Sequence, residues 1–295
     1  NALLPEIASE NRFDMISARG YAMGYIGSVI QLIFSLLVIM QPGFFGITDS
    51  DFAVRLSFLT VGVWWLLFAQ IAFYYLPSNN FQRNPDRKHL FSKGFRELKK
   101  VWNAARTDVP IRRYLLSFLF YNMGVQTVML LAATFGEKEV GLADDSLIMT
   151  VLLIQLVAIA GAYVFARVSA VRGNRFSLLV MIAIWLGICL FAYMVSTPNE
   201  FYLLALVVGL VMGGIQSLSR STYTKLIPRS TIDNASYFSF YDVVEKLSIV
   251  LGTFSFGIIE QLTGSMRNST LALAGFFIAG FLLMLRFRMP ARNVE

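Results

Sequence analysis

"SFYDVVEKLSIVLG", Ser239 to Gly252, opens a segment that stays apolar almost to Leu262 yet carries Asp242, Glu245 and Lys246 within five residues. Its setting decides the fold: in water such a segment is an amphipathic helix, and in lipid it is a span with charges at its mouth. Val243, Leu247, Val250, Phe254 and Ile258 recur at helical spacing on one face. Asp242, Glu245, Lys246, Ser248, Gly252 and Thr253 fall on the other, which is expected to face protein or water. The surroundings favour lipid. Of 295 residues 56% are hydrophobic and only 15% charged, against about 25% charged in soluble domains, and the mean hydropathy is +0.62.

A hydrocarbon core about 30 Å thick takes about 20 mostly apolar residues to cross as a helix. Eight stretches meet that length, near Gly20–Met40, Phe52–Leu76, Arg112–Gly136, Leu147–Ala166, Arg175–Ser196, Phe201–Tyr223, Tyr237–Gln261 and Thr270–Arg286. The expected fold class is an all-α integral membrane bundle. The opening residues "NALLPEIASENRFD" are neither a charged leader nor an apolar one, and the expectation from them is a chain entered partway through a longer protein.

Several classes of chemistry are excluded on residue types. The one cysteine, Cys189, lies in an apolar run, and the one histidine, His89, in the most polar stretch. No disulfide framework, thiolate metal site or His-based triad can be built from them. No phosphate-binding glycine loop is present, since Gly20, Gly24 and Gly27 have the wrong spacing and no preceding strand. No cofactor, no metal and no enzymatic activity are expected.

The basic residues give orientation. Arg12 and Arg19, the ten from Arg83 to Arg113, then Arg167, Arg172 and Arg175, then Arg220, Lys225 and Arg229, then Arg286, Arg288 and Arg292 fall on alternate connections. They make 21 of the 25 Lys and Arg, against Arg55, Lys138 and Arg267 on the other side. Both ends and the long polar insert are therefore expected on the cytoplasmic face. The net charge of +7 is explained by topology and anionic lipid, and no nucleic-acid partner is expected.

The spans divide two and six around the insert. The domain reading is residues 1–76 as two helices ending an N-terminal half, 77–111 as a basic linker, 112–288 as a complete six-helix half and 289–295 as a tail. Within the linker, "FSKGFRELKKVWNAAR" sets Phe91, Phe95, Leu98, Trp102 and Ala105 opposite Lys93, Arg96, Lys99, Lys100 and Arg106, the pattern of a helix lying in the headgroup plane.

Four motifs in order carry a family resemblance: "DMISARGYAMGYIGS" (Asp14–Ser28), "FLFYNMGVQT" (Phe118–Thr127), "GGIQSLSRSTYTKLIP" (Gly213–Pro228) and "SFYDVVEKLSIVLG". They resemble the fifth, seventh, tenth and eleventh helices of the vacuole-effluxer-like branch of the major facilitator superfamily. The resemblance implies a twelve-helix transporter of which helices five to twelve are present, the first four of its own chain being absent. It also implies a bacterial inner-membrane or vacuolar location. Two departures stand out. Met123 occupies a position where that branch often has an acid, and "GAYVFARVSAVRGNR" (Gly161–Arg175) keeps Arg167 and Gly173 of a loop motif but has Ala170 where the motif's Asp belongs.

Spacing alone offers pathway candidates. Asn122 and Gln126 share a helix face, Gln216, Arg220 and Tyr223 follow the Gly209–Gly213 small-residue pair, and Tyr21, Tyr25 and Gln31 lie on the first span. Buried amides either line a wet cavity or bind helices together. Arg220, Asp242, Glu245 and Lys246 are expected to form a cytoplasmic gate, with Asp242 four residues before Lys246 in the favourable order for an ion pair. The expected function is secondary transport of a small solute by alternating access, amino-acid efflux being what the resemblance implies. A non-transporting membrane scaffold with the same fold is the alternative.

Overall fold

The computed structural model describes residues 2–75, 90–228 and 233–290. Among these residues there are ten α-helices and no strand: α1 (Leu4–Ile7), α2 (Phe13–Met40), α3 (Ser50–Tyr75), α4 (Leu90–Thr107), α5 (Val109–Val140), α6 (Asp144–Arg172), α7 (Asn174–Met194), α8 (Pro198–Leu226), α9 (Asn234–Thr263) and α10 (Met266–Arg286). Most of the linker expected before α4, Arg229, and the tail beyond residue 290 lie outside the described residues.

Each expected span coincides with a long helix. Seven are long and apolar enough to cross a membrane, which makes this a multi-pass membrane protein. The eighth, α9, has 30 residues, but Asp242, Glu245, Lys246 and Glu260 keep its composition short of that standard. The expected count of eight thus holds for long helices, and seven meet the membrane-crossing composition. Helices are the natural answer to a medium that offers backbone groups no partner, because each helix satisfies its own.

The chain divides into two compact units, Gly24–Leu90 and the remainder, Asn1–Met23 with Phe91–Glu295. In the smaller unit Val38, Ile47 and Ala53 form a small core between α2 and α3. Gln31 Nε2 donates to Thr60 Oγ1 at 3.0 Å, so this amide binds two helices together. The unit's remaining surface is largely exposed Ile, Leu, Phe and Trp.

In the larger unit the closest helix pair is α6 with α8. Three glycines let the two backbones meet: Gly161 faces the Leu210 carbonyl, Gly213 the Ala158 carbonyl and Gly209 the Ile154 carbonyl. The Gly209–Gly213 pair is therefore a packing surface, in keeping with a solvent where contact and not water expulsion drives association. Gly252 of α9 lies in the same way against Met123 of α5, and Gly280 of α10 against Tyr121. Stacked aromatic rings, Phe118 with Tyr241 and Trp185 with Phe277, fill the rest of the bundle.

The helix ends are fastened by charge. Arg113 and Arg175 donate to the Arg286 and Leu285 carbonyls at the C-terminus of α10, satisfying acceptors that a helix end leaves open. At the opposite end of α10, Arg267 pairs with Glu139 at 2.9 Å and also donates to the Glu139 and Tyr193 carbonyls. It ties the last turn of α5 and the end of α7 to the start of α10. The helix expected in the linker is α4. Its Val101 and Ala105 are buried, Trp102 lies 6.0 Å from the Phe240 ring, and Phe95 is exposed.

A β-carbon at Gly213 has no room against the Ala158 carbonyl, whereas one at Gly275 meets nothing within 4 Å. Gly213→Ala is expected to destabilise the bundle by about 1–3 kcal/mol and Gly275→Ala to leave it within about 1 kcal/mol of the parent. Thermal unmasking of Cys189, which is buried, measured with a fluorogenic maleimide, reads both; equal melting temperatures for the two variants would contradict the close-packed interface.

Candidate functional site

Two polar centres lie inside the larger unit. The first is a cavity of about 190 Å³ lined by residues of α2, α5, α8 and α9. Tyr21, Asn122, Gln126, Gln216 and Glu245 contribute its polar wall, and Phe118, Tyr121 and Tyr241 its aromatic one. The helical spacing of Asn122 and Gln126 puts both amides here, as their sequence positions suggest. Asn122 Nδ2 donates to Ser248 Oγ, and Gln126 Nε2 lies 3.4 Å from Asn122 Oδ1. Gln216 Nε2 donates towards Met129 Sδ at 3.1 Å. Asn122 and Gln216 thus face the cavity and also join helices, while Gln126 bonds within α5.

Arg220 stands at the edge of this cavity. One terminal nitrogen donates to Tyr21 Oη at 2.9 Å, and the guanidinium carbon lies 4.4 Å from the centre of the Tyr21 ring. Its Nε is buried with no hydrogen-bond partner. Among the described residues Glu245 is the one carboxylate on the cavity wall. Arg220, Lys246 and Asp242 are the charged groups near enough to act on it. Ser248 donates to the Glu245 backbone carbonyl, and no ion pair fixes the Glu245 side chain among the described residues. An unpaired carboxylate on the cavity wall and an unpaired donor just behind Tyr21 therefore stand close to one cavity.

The remaining gate candidates are placed differently. Asp242 and Lys246 line a shallow surface groove with Ser239, Val243, Leu247 and Val250. No ion pair joins them among the described residues, and Lys246 is exposed. The reason is angular: a 100° step per residue leaves Glu245, Ser248 and Gly252 turned inwards and carries Asp242 and Lys246 round to the edge of the apolar stripe. Tyr25, a turn beyond Tyr21, is buried and falls in the smaller unit; it is not among the cavity-lining residues. Met123 is buried on another face of α5, its carbonyl against Gly252.

The second centre was not legible as a site in the sequence. Asp14, near the start of α2, pairs with Lys225 near the end of α8 at 2.7 Å, both side chains being largely buried. Ser169 Oγ and Asn174 Nδ2 donate to the two oxygens of the same carboxylate. Lys225 also donates to Asn174 Oδ1 at 2.8 Å, and Asn174 Nδ2 to Thr222 Oγ1 at 3.0 Å. Ser17 Oγ donates to the Ser217 carbonyl one turn further on, and Ala18 packs on Ala162 and Ala166. The start of α2 is thereby clasped to α6, α7 and α8. A buried pair is tolerated when hydrogen bonds satisfy its remaining groups, as here.

This cluster sits on the loop motif that had lost its acid. Gly173, with φ of 82°, is the whole connection between α6 and α7, and such a φ strains any residue with a side chain. Ala170 is exposed beside Ser169, and the carboxylate at this point comes from Asp14, another helix. Arg167 is exposed and takes no part in the cluster. The available signal was a lone acid opening an apolar helix and a lone lysine closing another at the same end of the bundle.

A second cavity, of about 60 Å³, lies among Thr127, Cys189, Phe201 and Phe256. Its lining is almost wholly apolar and offers no charge, so the first cavity is the polar candidate of the two.

Comparisons with known proteins agree with this architecture. The chain is 28% identical over 285 residues to a Bacillus subtilis (strain 168) protein described as the uncharacterized MFS-type transporter YxiO, covering 96% of this chain and 65% of that protein. It is 25% identical over 310 residues to autophagy-related protein 22 of Yarrowia lipolytica, covering 95% and 51%. To autophagy-related protein 22 of Eremothecium gossypii it is 25% identical over 327 residues, covering 100% and 63%. The chain thus spans less than two thirds of the length of these curated relatives. The model of the family described as "Vacuole effluxer Atg22 like" matches residues 5–294. From α2 to the end of α10, then, the chain belongs to the vacuole effluxer Atg22-like family.

Proposed function

We propose that the protein moves a small solute across the membrane by alternating access, that the cavity between α2, α5, α8 and α9 is where the solute binds, and that the solute is an amino acid. The observation that carries this reading is two opposite charges at one cavity: Glu245 on its wall, with an unpaired carboxylate, and Arg220 bonded to the wall residue Tyr21, with an unpartnered Nε. A zwitterion satisfies both, its carboxylate on the guanidinium and its ammonium on Glu245, with charge-assisted hydrogen bonds that are the strong kind. The amides of Asn122, Gln126 and Gln216 add neutral contacts. Family membership supports transport, and the Bacillus subtilis relative's description as an MFS-type transporter points the same way.

The Asp14–Lys225 clasp is the closing contact of one access state. A contact present in one state and broken in the other biases the equilibrium between them and does no chemistry. Asp242 and Lys246, on the rim of α9, are the further charges we assign to gate opening. Both described ends of the bundle where α2 begins and α10 finishes lie on the cytoplasmic side in this reading, with α4 along the headgroups, because the basic residues gather there. The scaffold alternative is not favoured: a built polar cavity has no purpose in it.

Three outcomes test the proposal. The full-length gene product in liposomes takes up labelled amino acids, and Arg220→Ala lowers affinity about 10- to 100-fold, the range that loss of a charge-assisted hydrogen bond implies; unchanged uptake removes Arg220 from the site. Lys225→Ala shifts the labelling of a cysteine placed at Ser219 towards exposure, while exchanging the pair as Asp14→Lys with Lys225→Asp restores protection; no shift makes the clasp purely structural. Cysteines at Lys99 and Asp144, both exposed, are labelled from the cytoplasmic and the opposite side respectively, and labelling of both from one side refutes the orientation.

A further inference from the structure

We propose that Tyr21 is the shutter of this cavity: it occupies Arg220 while no solute is bound, and a solute carboxylate that takes Arg220 from it releases the start of α2 from α8. This rests on the binding site proposed above and adds to it the residue through which occupancy opens the bundle.

One face of α2 holds that helix to the rest of the larger unit. Asp14, Ser17, Ala18 and Tyr21 are spaced so that their side chains share one stripe. Asp14 pairs with Lys225 at 2.7 Å, and Ser17 Oγ donates to the Ser217 carbonyl at 2.8 Å. Ala18 packs on Ala162 and Ala166 of α6, and Tyr21 Oη accepts from Arg220 at 2.9 Å. Three of these four contacts are with α8, and of the four residues Tyr21 alone lines the cavity. It is the point where the cavity meets the fastening of α2.

Arg220 is not on the cavity wall but behind Tyr21, its guanidinium carbon 4.4 Å from the centre of the ring. An anion in the cavity therefore meets Tyr21 first and reaches the guanidinium only when the ring moves aside. The donors show what the ring stands in for. Nη2 and Nε are the adjacent prongs of the guanidinium fork, the pair that a carboxylate takes with its two oxygens. Tyr21 fills Nη2 and leaves Nε buried without a partner. A phenol has one oxygen and no charge. A carboxylate satisfies both prongs with charge-assisted bonds roughly twice as strong as neutral ones, so it displaces the hydroxyl.

Displacing Tyr21 removes the deepest contact between α2 and α8. The Ser17 and Asp14 contacts lie successively nearer the end of the bundle and open after it. A ligand shifts an equilibrium only by interacting differently with its two states, and here the difference is plain: Arg220 binds Tyr21 in one state and the solute in the other.

The test uses the full-length gene product with labelled leucine and labelled lysine as probes. Binding is measured in detergent, and separation of α2 from α8 by maleimide labelling of Ser17→Cys in a Cys189→Ala background. Tyr21→Phe keeps the ring and removes the competing hydroxyl. It is expected to bind the probe about three- to tenfold more tightly, the opposite of what loss of a solute contact or of a structural bond would do. Labelling of Ser17→Cys, slow in the empty wild type and accelerated by the probe, is expected to be fast in Tyr21→Phe with no probe present. Combined with Arg220→Ala, Tyr21→Phe is expected to add nothing to the labelling rate, because residues acting as one unit are not additive. Tyr193→Phe, at an exposed tyrosine of α7, is expected to match wild type. Unchanged or weaker binding by Tyr21→Phe overturns the proposal, as does the same effect of Tyr21→Phe on labelling with and without Arg220. A probe that binds wild type without accelerating the labelling also overturns it, while leaving the binding site standing. Binding of neither probe nor of any other amino acid refutes the site itself and the shutter with it.

Discussion

Everything in the larger unit depends on how closely α6 and α8 approach. In lipid, apolar side chains gain nothing by leaving one apolar surroundings for another, so helices hold together through short backbone contacts and polar bonds. Gly161, Gly209 and Gly213 permit the first. Seating one face of α8 on α6 in this way turns the other faces of α8 towards α5, α9 and the start of α2. Gln216 and Ser219 then reach the cavity, Arg220 reaches Tyr21 on its wall, and Lys225 reaches Asp14. A helix made only of large residues could not bring those groups into register.

The two polar centres solve different electrostatic problems. At Asp14 and Lys225 two opposite charges meet and every neighbour completes a hydrogen bond, so the cluster is settled without any ligand. At Arg220 and Glu245 the guanidinium is engaged with Tyr21, no ion pair joins the two charges among the described residues, and the arrangement is left incomplete. Completed networks hold parts together, while incomplete ones hold something else. That contrast, more than residue type, separates the clasp from the centre we propose for binding.

Much of this could be read from the chain. The long helices, the glycine pair, the amphipathic α4 and the shared face of Asn122 and Gln126 all follow from spacing, because helical periodicity is local. Glu245 was legible as an inward charge, but its separation from Asp242 and Lys246 was not: the three lie within five residues, and only the angle at which α9 meets α5 decides which of them turns inwards. Asp14 with Lys225 was hidden for another reason. The partners are 211 residues apart, and their bonds depend on two further helices, α6 and α7.

Gly173 has one more consequence. As the sole residue between α6 and α7, with a backbone angle open chiefly to glycine, it leaves that junction without slack. One inserted residue, taken up as helix, would turn Asn174 through about 100° and away from Asp14. Related chains should therefore differ in length at their other connections and agree here, making this corner a fixed ruler against which their drifted sequences can be aligned.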